Sequence, residues 1–492
     1  MVFSSAAFLF AFLPITLAGY YLLPKKCRNV FLTLLSLLFY AWGEPKFVLV
    51  MLVSILANYL FGLLVARRKD SAYQRRVLAA MVVANLGLLF VFKYLNFTIE
   101  NLNYFFHGAI PQTHITLPIG ISFFTFQAMS YVFDVAMERG EVQKNPLNVA
   151  LYVSLFPQLI AGPIVRYDTV ASEIRTRQET LSDFVKGSRR FTVGLAKKMI
   201  LSNSVALLAD QAFGYGDASQ LPVAMAWLGA LAYAFQIYFD FGGYSDMAIG
   251  LGLMFGFHFD ENFNYPYISR TVSEFWNRWH ISLSSWFRDY LFYPVSRKAV
   301  PLGKKVRARW GKAAGRLTPT VIALSVVWLS TGIWHGASWN YILWGVYYGV
   351  LLIAALIFQP TSKKLVRKLN INTEAPWFLL FQTLRTMVLV LLGYVLFRSG
   401  SLGQVAGYFK AMFGLAGNVA MDAVTEDALR NHASALLLCA VGSTPVVGYL
   451  QKKLGRIGSS EWVKNGVCFL LLILSAAYIV SSSYNPFIYF AF

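Results

Sequence analysis

The sequence predicts an all-α, polytopic integral membrane protein. Three observations predict it. Of 492 residues, 57% are hydrophobic and 13% are charged, against about 25% charged in an ordinary soluble chain. Apolar runs recur from end to end, many near the ~20 residues a helix needs to cross the hydrocarbon core. The net charge of +20 is gathered into short basic clusters between those runs. The clusters are Lys25–Arg28, Arg67–Arg76, Arg297–Arg316, Lys363–Lys368 and Lys452–Arg456. That is the positive-inside pattern of cytoplasmic loops rather than a nucleic-acid surface.

Candidate spans fall at roughly 5–23, 29–43, 47–66, 77–95, 115–136, 189–211, 223–256, 318–334, 339–358, 379–398, 434–450 and 465–482. We therefore expect about 11–13 spans, with re-entrant and amphipathic helices besides. The first run reads as a retained span and not a secretory signal, because the first lysine is Lys25 and no basic segment precedes the run. Pro157 and Pro163 interrupt 148–165, which reads as a buried or re-entrant segment. Counting spans between basic clusters places both termini and the loop 399–433, with Asp422, Glu426 and Asp427, outside the cytoplasm. The same count puts the 332–338 turn toward the outer side. The chain reads as one domain, 1–492, with a motif-bearing core at 1–400 and an external loop and C-terminal spans at 401–492. Arg297–Arg316 holds eight Lys/Arg and no acid. It reads as a topology anchor touching anionic membrane lipid, as a dock for an acidic cytosolic partner, or as both.

Chemistry is expected where ionisable groups sit among apolar residues. If Trp276–Tyr293 is one helix, Trp276, His280, Ser284 and Arg288 share a face, with Arg278 and Asp289 adding charge. The competing reading is a non-catalytic interfacial helix. His335 lies in GIWHGASWNY. Small neighbours leave it room, Trp334 and Trp339 are expected to bound it, and a neutral imidazole there can serve as a general base. A buried structural histidine is the alternative. Asp240 and Asp246 interrupt the apolar run Gln236–Gly250. They either pair with cations or orient a histidine. His107, His114, His258 and His432 have weaker settings. Cys27, Cys439 and Cys468 are far apart and form no CxxC, so neither a disulfide framework nor a metal site is expected. No HExxH, P-loop or GxSxG is present.

Several long motifs occur in order: LPIGISFFTFQAMSYVFDV, LFPQLIAGPIVRY, YFDFGGYSDMAIGLGLMFGF, ENFNYPYIS, FWNRWHISLSSWFRDYLFYP and GIWHGASWNYILWG. With them the chain resembles the membrane-bound O-acyltransferases (MBOAT) of the bacterial alginate O-acetyltransferase type. The resemblance covers most of residues 1–400. It implies a ring-like multi-helix core with a thin centre, reached through a cytoplasmic funnel, which buries the 332–338 turn against the simple span count. It also implies that His335 is catalytic and that His280 assists. It implies acyl transfer from an acetyl thioester, acetyl-coenzyme A or an acyl carrier protein, used as substrate with no cofactor bound permanently. A separate extracytoplasmic acetyltransferase or accessory protein would be the partner, and the bacterial inner membrane the location. The implied acceptor is an exported polysaccharide, with alginate leading and peptidoglycan, cellulose or another surface polymer competing. The teichoic-acid D-alanylation branch shares the histidine motifs. A transporter or a non-catalytic scaffold remains the reading of another class.

Overall fold

The computed structural model describes every residue except 70, 456–459, 482–487 and 489–492. Among the described residues every regular element is helical. Among the described residues eight helices are long and apolar enough to cross a membrane: Val48–Val65, Ala72–Phe105, Leu181–Phe213, Val223–Met254, Ile281–His335, Trp339–Lys368, Pro376–Arg398 and Glu461–Ser481. The protein is an all-α, multi-pass membrane protein. The expected spans 5–23, 29–43 and 115–136 appear as shorter or more polar helices, Phe8–Leu22, Lys25–Gly43 and Ile121–Ala136. The expected 434–450 span moves toward the N-terminus, to Ala423–Gly442. Asp422 caps it, its carboxylate accepting from Thr425 N at 2.8 Å, so the helix starts inside what reads as an external loop.

The chain forms two interleaved compact units. One comprises Met1–Ile200, Asp240–Glu261 and the described residues between Lys464 and Ile488. Its centre is aromatic. Phe3 lies 4.8 Å from Phe8 and stacks on Tyr244 at 4.5 Å, and Phe12 meets Phe156 edge-on at 5.4 Å. These rings gather around Phe156, and over 146–159 two short helices, Pro146–Ser154 and Phe156–Leu159, replace a span, as the prolines suggest. Helices Val48–Val65 and Ala72–Leu89 are joined by a reciprocal amide pair. Asn58 Nδ2 donates to Asn85 Oδ1 at 3.0 Å, and Asn85 Nδ2 to Asn58 Oδ1 at 2.9 Å. Leu181–Ala196 closes on the second half of Val223–Met254 through glycines: a Cβ on Gly194 would stand 2.5 Å from Gly243 O.

That close approach brings cations to the two intramembrane carboxylates. Lys198 pairs with Asp240 at 2.5 Å, both almost fully buried, and Ile488 N donates to the second Asp240 oxygen at 2.9 Å. Arg190 and Lys197 hold Asp246 at 2.7 and 2.6 Å. Of the two readings of these aspartates, cation pairing is the one observed. Nearer the basic N-terminal cluster, Glu179 accepts from Tyr20 at 2.5 Å and pairs with Arg28 at 2.8 Å. Burial alone would raise the Glu179 carboxyl, but those two hydrogen bonds outweigh it and hold it below the usual range.

The other unit comprises Leu201–Phe239 and Asn262–Val463. It contains both histidine motifs. One close helix pair is the end of Ile281–His335 against Trp339–Lys368, where a Cβ on Gly345 would stand 2.4 Å from Trp328 O and 2.9 Å from Gly332 Cα. Glycine is required on both helices at this crossing. At the far end of Pro376–Arg398, Arg398 pairs with Asp210 at 2.9 Å, a defined partner for a side chain that could otherwise only reach for water.

Candidate active site

The stretch Trp276–Tyr293 is not one helix. Val272–Arg278 and Ile281–Phe287 are separate, with Trp279 extended and His280 in the left-handed region at φ 45°, ψ 52°. A residue with a Cβ is strained there, and a helix cannot run through it. The break is held by Asn262, fully buried 18 residues upstream. Its carbonyl accepts from Ile281 N at 3.0 Å. Its Oδ1 meets Ser282 N at 3.2 Å, Ser282 Oγ at 2.9 Å and His280 Nδ1 at 3.1 Å. An amide oxygen can only accept, so Nδ1 carries the proton in this contact and Nε2 is the basic nitrogen. Burial pushes the His280 imidazole down to about 3, so it is neutral at physiological pH.

The shared face expected of Trp276, His280, Ser284 and Arg288 is therefore corrected. Ser284 Oγ still reaches Trp276 O at 3.3 Å. Arg288 is turned outward and pairs with its neighbour Asp289 at 2.9 Å. Arg278 pairs with Glu274 at 3.0 Å, one turn earlier. Neither arginine joins the histidine's hydrogen bonds. Trp276 joins an aromatic cluster, 4.7 Å from Trp328, 4.9 Å from Tyr348 and 5.6 Å from Trp344.

His335 ends the helix Ile281–His335 and is 5% exposed. Its ring lies edge-on to Trp334 at 4.8 Å, Trp344 at 4.8 Å and Phe397 at 5.1 Å. Trp334 is also 6.2 Å from the His280 ring, so one indole lies beside both imidazoles. Trp339 does not bound the site as expected. It is 51% exposed, and Trp344 and Phe397 take that place. The reason is the Gly332–Gly345 crossing, which turns position 344 and not 339 toward His335. Gly336 is required by a ring: a Cβ there would stand 2.4 Å from Tyr341.

Sequence reasoning missed Asn262, Trp344, Tyr348 and Phe397 as site residues. Asn262 lies in the motif ENFNYPYIS, whose run of polar residues among apolar neighbours was its one signal. Three buried donors of this cluster, Trp276 Nε1, Trp344 Nε1 and Tyr348 OH, meet no acceptor among the described residues. Unmet donors of this kind cost about 1–3 kcal/mol each. They suit a site that receives an oxygen-bearing group, as does a neutral imidazole with a basic nitrogen. Among the described residues, no group of three or more His, Cys, Asp or Glu is placed to hold a metal ion.

A profile of the membrane-bound O-acyltransferase family matches residues 34–396, a span that contains both histidines. The chain belongs to the membrane-bound O-acyltransferase family. It is an O-acyltransferase. It is similar to the probable alginate O-acetylase AlgI of Pseudomonas putida, 38% identical with all of both chains covered. The corresponding protein of Azotobacter vinelandii is 39% identical over 92% of this chain and 85% of its own length. The peptidoglycan O-acetyltransferase of Helicobacter pylori is 30% identical over 100% of this chain and 98% of its own.

Proposed function

We propose that this O-acyltransferase moves an acetyl group from a cytoplasmic thioester toward hydroxyls of an exported polysaccharide in the bacterial inner membrane. Alginate is the favoured acceptor, since the full-length similarity is higher to alginate O-acetylases than to the peptidoglycan enzyme. The observation that carries the reading is the pair of buried imidazoles flanking Trp334. His335 takes the proton of the attacking hydroxyl as its oxygen bonds to the thioester carbonyl carbon. The carbon–sulfur bond breaks and the departing thiolate receives that proton. His280, neutral and fixed by Asn262, orients a reacting group through Nε2. Trp334, Trp344 and Phe397 keep water from the thioester, which would otherwise hydrolyse. The donor is acetyl-coenzyme A or an acyl carrier protein. An extracytoplasmic acetyltransferase or accessory protein carries the group on to the polymer.

Cells lacking the protein, complemented with wild type or His335→Ala at matched membrane levels, test this reading. Polymer-linked acetate should return with wild type only, and the polymer that regains it names the acceptor. Equal acetate in both would remove the catalytic role of His335 and favour a scaffold.

A further inference from the structure

The segment 293–335 is a hairpin of two helical limbs. Gly311 breaks it, at φ 87°, ψ 173°. A Cβ on Gly303 would stand 2.8 Å from Gly315 O, and one on Gly315 would stand 2.7 Å from Gly303 O. Twelve residues of straight helix would separate those positions by about 18 Å. The chain therefore folds back on itself at Gly311, and glycines form the seam.

All eight cations of 297–316 are exposed on this hairpin. Four more, Lys363, Lys364, Arg367 and Lys368, end Trp339–Lys368 and are exposed too. The two sets lie at one end of one helix pair. Gly332 and Gly345 touch, and Lys312 and Leu365 each lie 20 residues beyond that crossing on antiparallel helices. At 1.5 Å per residue the basic end is about 30 Å from the crossing, the thickness of a hydrocarbon core. No Asp or Glu occurs between Asp289 and Glu374, and among the described residues none of the twelve forms an ion pair. Beside Gly311, Trp310 is 72% exposed, and Leu302 and Val300 on the same limb are 48% and 44% exposed.

We propose that this hairpin is a clamp for anionic phospholipid headgroups, with Trp310 seated at the headgroup–acyl boundary. Twelve uncompensated cations at the end of a spanning helix pair are held at headgroup depth, where each Lys or Arg is attracted to an anionic leaflet. Exposed Trp, Leu and Val interleaved with them favour an interface over bulk water or a folded acidic protein. The first limb is continuous with the turn that follows Ile281–Phe287, so the clamp anchors the segment carrying His280.

The test compares amide hydrogen exchange of full-length protein in nanodiscs of phosphatidylcholine alone or with phosphatidylglycerol. Amides 297–316 should exchange about tenfold or more slowly with phosphatidylglycerol, and high salt should erase the difference. The variant Lys304→Gln/Lys305→Gln/Arg307→Gln/Arg309→Gln should lose most of that protection while amides 320–350 keep theirs. Because the lipid comparison uses wild type, a variant that fails to fold leaves the test intact. Equal exchange in the two lipids overturns the proposal. So does equal protection in phosphatidylcholine on adding coenzyme A, which would mark a soluble phosphate site, or on adding an acidic carrier protein, which would mark a protein dock.

Discussion

In one compact unit, Lys198 and Asp240 meet as an almost fully buried charge pair, and Asp246 is held between Arg190 and Lys197. In the other, His280 and His335 are packed against indole and phenyl rings, and the amide oxygen of Asn262 meets the first. Both sets are ionisable groups in an apolar interior, where charge costs several kcal/mol unless it is matched. The carboxylates and cations meet that cost by pairing. The His280 imidazole meets it by staying neutral, which leaves a basic nitrogen. The difference separates polar groups that pair with one another from an imidazole held by an amide.

The comparison breaks most sharply at His335. His335→Ala should lower acetyl transfer by about 10²–10⁴-fold, the range of a general base, with little change in the amount of folded protein. Acetate release and membrane abundance measured together check it. Asp240→Ala should do the reverse. It strands Lys198 in the interior and should cost about 3–5 kcal/mol of stability, while Lys198→Met with Asp240→Leu should recover most of it. Thermal unfolding in detergent reads both. If the double variant stays as unstable as the single, the pair does more than neutralise charge.

Asn262→Ala probes the link within the histidine set. It removes the acceptor for His280 Nδ1 and for Ser282, an expected loss of about 1–3 kcal/mol. As a positioning residue, Asn262 should lower kcat more than it raises KM for the thioester. The smallest effect is on pH. The folded state resists the proton that the unfolded chain accepts, because the imidazole falls from 6.5 to about 3. Stability from this group is complete above about 6.5 and is lost as pH falls from there toward 3. His280→Gln should flatten unfolding temperature against pH across that window. An unchanged slope would mean that the imidazole titrates normally in the folded state.

How far the site was legible depended on how local its cause was. GIWHGASWNYILWG marks His335 by composition alone, because Gly, Ser and Trp around a histidine need no distant partner to be noticed. The phase of Trp339 against Trp344 was not legible. It follows from the touch of Gly332 and Gly345 on two helices. The break at His280 was not legible either. The apolar and aromatic spacing of Trp276–Tyr293 suits an unbroken helix, and what interrupts it is a carbonyl and an amide from residue 262.

By itself the sequence determined the membrane class and the helical character, and it drew attention to the two histidines. Each follows from composition or from a run of neighbours, and burial in lipid acts on every such run alike. Only the tertiary structure decided which polar groups meet. Asp240 finds Lys198 because glycine seams let two helices close, and His280 takes its strained backbone because Asn262 satisfies three donors there. Those outcomes depend on distances between residues remote in the chain, which helical periodicity does not encode.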